Sequence, residues 1–129
     1  MAPRAITLLA AMVVVVAVAA LLPGTASAAS YTVGDGSGWD LGIDYHAWAD
    51  SKKFRVGDTL EFLYSTEEAS HDVVVVDERS FASCSVPTNA PTLTTGDDKV
   101  SLSRAGRWFF ICGVEGHCQG GMKLAVNVH

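Results

Sequence analysis

Near its C-terminal end the chain reads Cys112-Gly113-Val114-Glu115-Gly116-His117-Cys118-Gln119-Gly120-Gly121-Met122, setting a thiolate, an imidazole and a thioether at successive spacings of five. Sulfur and imidazole donors suit copper, and two imidazoles with one thiolate and a weak thioether make the donor set of a blue-copper electron-transfer centre. The second imidazole is expected from His71, which stands just before the apolar run Val73 to Val76, where a strand can hold its ring against the loop. The predicted ligands are therefore His71, Cys112, His117 and Met122, with one type 1 copper ion as cofactor. Singly, each residue has an ordinary reading: Met122 as a flexible core filler, Cys112 as a small buried residue, His71 and His117 as polar surface groups. Together, beside a glycine-rich loop between two apolar runs, they favour the metal. Structural zinc prefers four Cys or His ligands at short paired spacings and has no use for a thioether; no Cys-x-x-Cys occurs here.

Three cysteines leave one over if a disulfide forms. With Cys112 reserved for metal, Cys84 and Cys118 remain to pair. The alternatives, Cys84 with Cys112 or Cys112 with Cys118, would each consume the ligand thiolate. Cys118 follows His117 directly, and in an extended chain neighbouring side chains point to opposite sides. One would then face the metal and the other the disulfide.

These residues need a frame, and its beginning is set by the leader. Arg4 precedes an apolar run from Ala5 to Leu22, followed by Pro23-Gly24 and then Ala26-Ser27-Ala28. This is the three-part pattern of a secretory signal peptide. The run approaches the length of a membrane-spanning helix, which makes an uncleaved anchor the competing reading; the Ala-x-Ala site favours cleavage. Residues 1–28 are thus expected to be removed, leaving 29–129 as one small domain for which a disulfide is a sensible supplement. That domain holds 8 basic and 14 acidic residues, a formal charge of −6. Such a balance argues against nucleic acid and anionic membrane surfaces, which reward clustered Lys and Arg. No apolar tail follows the ligand loop, so no stable membrane anchor is expected, and the domain is expected to be a monomer.

Short apolar runs broken by Gly, Pro and Asp predict a β-sandwich or barrel. Strands are expected at Tyr31 to Val33, Thr59 to Tyr64, Val73 to Val76, Lys99 to Ser103, Trp108 to Cys112 and Lys123 to Val128. In the second, Leu60, Phe62 and Tyr64 share one face; in the last, Leu124, Val126 and Val128 point inward. Helix is expected only at Asp44 to Asp50, with Asp44 as N-cap, Tyr45 and Trp48 on the packed side and His46 exposed. Pro87 to Asp98, rich in Thr, Pro and Asp, reads as a long connection. Cys112 and Met122 then fall near facing strand ends.

The sequence resembles the phytocyanins, the plant branch of the cupredoxins, and most of all their plantacyanin (basic blue protein) subgroup. The resemblance rests on Val33-Gly34-Asp35 with Gly38-Trp39, on Tyr45 and Trp48, on Phe54-Arg55-Val56-Gly57-Asp58-Thr59-Leu60 leading to His71, and on Phe109-Phe110-Ile111-Cys112 through His117-Cys118 to Met122. It implies an all-β, Greek-key sandwich of cupredoxin type with a short helix. It further implies copper held by His71, Cys112, His117 and Met122, and a disulfide joining Cys84 to Cys118. The acidic mature chain departs from the basic character that names the subgroup, a difference that bears on partner electrostatics.

The function these readings favour is a secreted, extracellular carrier of single electrons by Cu(II)/Cu(I) cycling, with a redox donor and an acceptor as partners and no substrate chemistry of its own. Four liganding side chains leave no ready open position, unlike a catalytic metal site. A thiol enzyme built on Cys112 and His117 lacks an orienting third group. The stronger rival is a non-enzymatic extracellular signalling or cell-wall interaction module whose copper is structural or incidental.

Overall fold

Alternation and continuous apolar runs build two different sheets. The computed structural model describes residues 27–129, so the leader expected over 1–28 lies, apart from Ser27 and Ala28, outside the described residues. In the first sheet β2 (Thr59–Leu63) pairs in parallel with β1 (Ser30–Thr32) and antiparallel with β5 (Asp97–Ser101). Leu60 and Phe62 on β2 are fully buried, while Glu61 between them looks outward to Lys99. This is the period-2 pattern of a sheet with one face in the core.

The second sheet has the order β4-β3-β6-β7, formed by β3 (Val73–Val76), β4 (Thr92–Leu93), β6 (Gly106–Ile111) and β7 (Lys123–Val128). Its central strands are apolar without alternation because both faces are covered. Val73 and Phe110 enter the main core facing the first sheet, whereas Val74 and Ile111 join a second cluster with Cys118. The chain changes sheets between β2 and β3, between β4 and β5 and again between β5 and β6, as a Greek-key sandwich requires.

The helix α1 (Tyr45–Asp50) begins where expected: the Asp44 carboxylate accepts from the Ala47 amide at 3.0 Å, and Tyr45 and Trp48 are buried. His46 is exposed. A second helix, α2 (Glu78–Ser83), was not expected. It buries only Ser80 of its six residues and so carries no amphipathic stripe, but Asp77 caps it by accepting from the Ser80 amide at 2.8 Å. Within the expected connection 87–98 the two-residue strand β4 pairs with Val73 and Val74. The strand expected at 99–103 starts two residues earlier, since Asp98 pairs opposite Phe62. No helix among the described residues is long and apolar enough to cross a membrane.

An aromatic column ties this frame to one end of the sandwich. Phe110 packs on Phe62 at 5.2 Å between ring centroids, Phe62 on Trp39 at 5.1 Å, and Trp39 on Tyr45 at 4.8 Å. Such contacts add roughly 0.5–1.5 kcal/mol each beyond burial. They deliver Trp39 to the segment that carries His71.

Candidate metal centre

The ligand loop is held at its two ends by the β6/β7 hairpin. Ile111 and Lys123 form the last register pair, and one step further the Cys112 amide donates to the Met122 carbonyl at 3.0 Å. Cys112 and Met122 therefore face each other across the mouth of the loop, as expected. The Met122 amide in turn donates to the His117 carbonyl at 3.0 Å. Both Cys112 and Met122 are buried in the main core, at 1% and 0% exposure.

Across from this loop, the residues just before β3 bring in the second imidazole. His71 Nδ1 lies 3.2 Å from His117 Nδ1, and Cys112 Sγ lies 3.5 Å from His117 Nδ1 and 3.9 Å from His71 Nδ1. All three donor atoms fall within 4.8 Å of one another. Bonds of roughly 2.0 Å to imidazole and 2.3 Å to thiolate, set at trigonal angles, separate the donors by about 3.5–3.7 Å. The three donors match that spacing to a few tenths of an ångström, so the residues fit a three-coordinate metal with Met122 adjoining.

The loop between Cys112 and Met122 is not extended. The amides of His117, Gly120 and Gly121 donate to the carbonyls of Val114, Gly116 and Cys118, winding it into successive turns. His117 and Cys118 still diverge, because consecutive residues in a wound turn point about 100° apart. His117 faces Cys112 and His71, while Cys118 forms the disulfide with Cys84, whose Cα is 5.6 Å away. Cys84 is delivered by α2, ending that helix in a left-handed conformation at φ 54°. The loop glycines have different reasons. Gly116, at φ 81°, takes a left-handed turn that an L side chain resists, with open space where a Cβ would stand. Gly113 permits close approach: a Cβ there would lie 3.0 Å from Val74 Cγ2 and 3.3 Å from the Asp72 carboxylate.

Several supporting residues escape a reading based on donor types alone. The Asp72 carboxylate accepts from the Gly113 amide, bridging the His71 segment to the Cys112 loop. Trp39 Nε1 donates to the Asp72 carbonyl at 2.8 Å. The buried Tyr45 hydroxyl accepts from the Asp40 amide at 2.8 Å and lies 3.2 Å from the Gly38 carbonyl and 2.8 Å from the Asp40 carbonyl. Asp72 stands directly beside His71 in the sequence; Trp39 and Tyr45 enter the sequence reading through the family resemblance and the packed side of the helix, with nothing local to tie them to His71.

Burial pushes the Cys112 thiol above its ordinary range, against backbone hydrogen bonds from Asp72 and Val114 that lower it. This is the reverse of an activated catalytic cysteine, which needs a depressed pKa and access to substrate. A thiol enzyme is accordingly disfavoured. Cys112 would hold a metal as the thiolate, giving up its proton on binding, so that binding would depend on pH.

Comparisons with known proteins agree with this geometry. Residues 39–122 match the plastocyanin-like domain. A blue copper protein of Pisum sativum is 47% identical over 98 residues, covering 76% of this chain and 51% of the pea protein, so the chain spans about half of that relative. The basic blue protein of Cucumis sativus is 42% identical over 99 residues, covering 77% of this chain and 98% of the cucumber protein. The solved structure of a cucumber basic protein, a blue copper protein, superposes with a TM-score of 0.71 at 41% identity, covering 78% of this chain and 99% of that one.

Proposed function

The chain belongs to the plastocyanin-like family, as a phytocyanin, and from that premise we propose that it is a secreted blue-copper protein that carries single electrons between extracellular partners. The observation that carries the proposal is the convergence of His71 Nδ1, Cys112 Sγ and His117 Nδ1 within 4.8 Å of one another beside the buried Met122. Two imidazoles, a thiolate and a thioether are the donor set that suits copper rather than structural zinc. When bound, copper supplies reversible one-electron chemistry. His71 and His117 present their Nδ1 atoms, Cys112 gives up its proton to become the anionic donor, and Met122 supplies the weak fourth donor. The surrounding apolar strands keep water from the thiolate, and the wound loop, the disulfide and the Asp72 bridge limit how far the donors can move between oxidation states.

With Met122 as the fourth donor, no position would be left for substrate, and the centre would exchange electrons without a reaction of its own. Secretion follows from the leader, with residues 1–28 removed and the domain beginning at Ala29. The single-electron donor and acceptor are partners of this reading, and the acidic surface selects among them by charge.

The test is the visible spectrum of copper-loaded protein. Wild type is expected to be intensely blue, Cys112→Ser colourless and His46→Ala unchanged; a blue Cys112→Ser variant refutes the ligand assignment. The folded, colourless variant also separates the rival role. Full biological activity on secreting tissue without copper would favour an interaction module over electron transfer.

A further inference from the structure

The imidazole of His71 has a second nitrogen, and what it touches is not a metal donor. His71 Nε2 lies 3.1 Å from Asp40 Oδ1, an atom that also accepts from the Leu41 amide at 2.7 Å. The two residues are 31 positions apart in the chain. We propose that Asp40 is the positioning residue of His71: its carboxylate holds the ring in one orientation and in the Nε2–H tautomer, leaving the Nδ1 lone pair aimed at the metal position. This inference rests on the copper reading for its consequence but not for the contact itself.

The chemistry of the pair sets the tautomer. A carboxylate accepts hydrogen bonds and has none to give, so the hydrogen between the two must sit on Nε2. A neutral imidazole then carries an acceptor at Nδ1, the atom 3.2 Å from His117 Nδ1 and 3.9 Å from Cys112 Sγ. Outer partners of this kind fix ring orientation and raise ligand basicity.

Asp40 can do this because its backbone is held, although its side chain is 61% exposed. The buried Tyr45 hydroxyl accepts from the Asp40 amide, and Trp39, one residue earlier, donates to the carbonyl of Asp72, one residue after His71. The segment 39–40 therefore grips the segment 71–72 at two adjacent points, one through an indole and one through a carboxylate. His117 has no corresponding partner at Nε2 among the described residues. Asp40 thus acts on one imidazole of the two.

The experiment compares wild type, Asp40→Asn and Asp40→Ala, first metal-free and then loaded with Cu(II). The amide oxygen of Asn can still accept from Nε2–H, while Ala cannot. Nitrogen-15 NMR of the metal-free proteins, at a pH where both imidazoles are neutral, should show His71 protonated at Nε2 in wild type and Asp40→Asn, and a mixture of tautomers in Asp40→Ala. Cu(II) affinity should fall roughly 10-fold or more in Asp40→Ala, the scale on which lost outer partners act, and fall clearly less in Asp40→Asn, which keeps the acceptor and loses only the charge. The reduction potential of Asp40→Asn should rise, since removing a negative charge near the metal disfavours Cu(II).

His71 protonated at Nδ1 in metal-free wild type overturns the proposal, a result that does not depend on any variant folding. So does an Asp40→Ala protein with wild-type tautomer and affinity, or an Asp40→Asn protein that binds copper as weakly as Asp40→Ala. A wild-type protein that never turns blue refutes the copper reading instead, while the metal-free NMR still decides the role of Asp40.

Discussion

Removing the Cys84–Cys118 bridge should cost the domain about 4 kcal/mol, most of it through the unfolded chain. The two cysteines are separated by 34 positions. The loop-entropy relation, about −2.1 − 1.5R ln n cal/mol/K, then gives roughly 12.6 cal/mol/K, or about 3.8 kcal/mol at 25 °C. The sulfurs also contribute packing, since Cys118 is 3% exposed and sits with Val74 and Ile111 under Phe81. Comparison is cleanest between Cys112→Ser and the same protein carrying Cys84→Ala and Cys118→Ala, both metal-free. That background removes thiol exchange and the stabilisation that a bound ligand adds to the folded state. Urea unfolding should show a midpoint lower by about 2 M for an m-value near 2 kcal/mol/M, with the m-value itself increased because the released chain expands. A difference below about 1 kcal/mol with equal m-values would refute the reasoning, since the bridge would then constrain nothing that the unfolded chain explores.

Four further outcomes are expected. Met122→Gln should keep copper but lower the reduction potential, because an oxygen donor favours Cu(II) over Cu(I); voltammetry showing an unchanged or raised potential would remove Met122 from the ligand set. Gly113→Ala should cost about 1–3 kcal/mol in thermal or urea unfolding, because its methyl would meet Val74 at 3.0 Å and press on the Asp72 bridge; a neutral substitution would mean that the His71 segment yields freely. Burial raises Tyr45 to about 12, and Tyr64 is raised by burial and by its hydrogen bond to Asp98. The folded state therefore holds phenolic protons that the unfolded chain loses near pH 10, so stability is intact below about pH 10 and declines toward pH 12, a slope that Tyr45→Phe should reduce in a pH series of unfolding curves. Mass analysis of secreted protein should place the mature N-terminus at Ala29, and a retained leader would point to an anchor instead.

The candidate donor set could be read from the sequence because copper chemistry constrains residue type and spacing together. Cys112, His117 and Met122 lie within one loop, and the apolar runs on either side had to be strands to close it. The alternation of Leu60 and Phe62 and the inward series Leu124, Val126 and Val128 were equally readable, since a sheet with one buried face imposes its period on the chain. The cap of α1 was readable for a local reason as well, as Asp44 needs only the amide three residues on.

What only the tertiary structure decided involves partners distant in sequence. The only local signal at Glu78–Ser83 is the Asp77 cap, and with no amphipathic stripe behind it that cap does not announce a helix; the helix docks on the outer face of β6 through Phe81 on Phe109, 5.3 Å between centroids, and so carries Cys84 to Cys118. The winding of the ligand loop is likewise a matter of glycine conformations and carbonyl partners rather than donor spacing. The grip of Trp39, Asp40 and Tyr45 on His71 and Asp72 spans about thirty residues, and its members are an exposed acid and two aromatic residues that fit many roles. The candidate donors are written in residue types, but their orientation depends on hydrogen bonds whose two ends meet only when the sheets have packed.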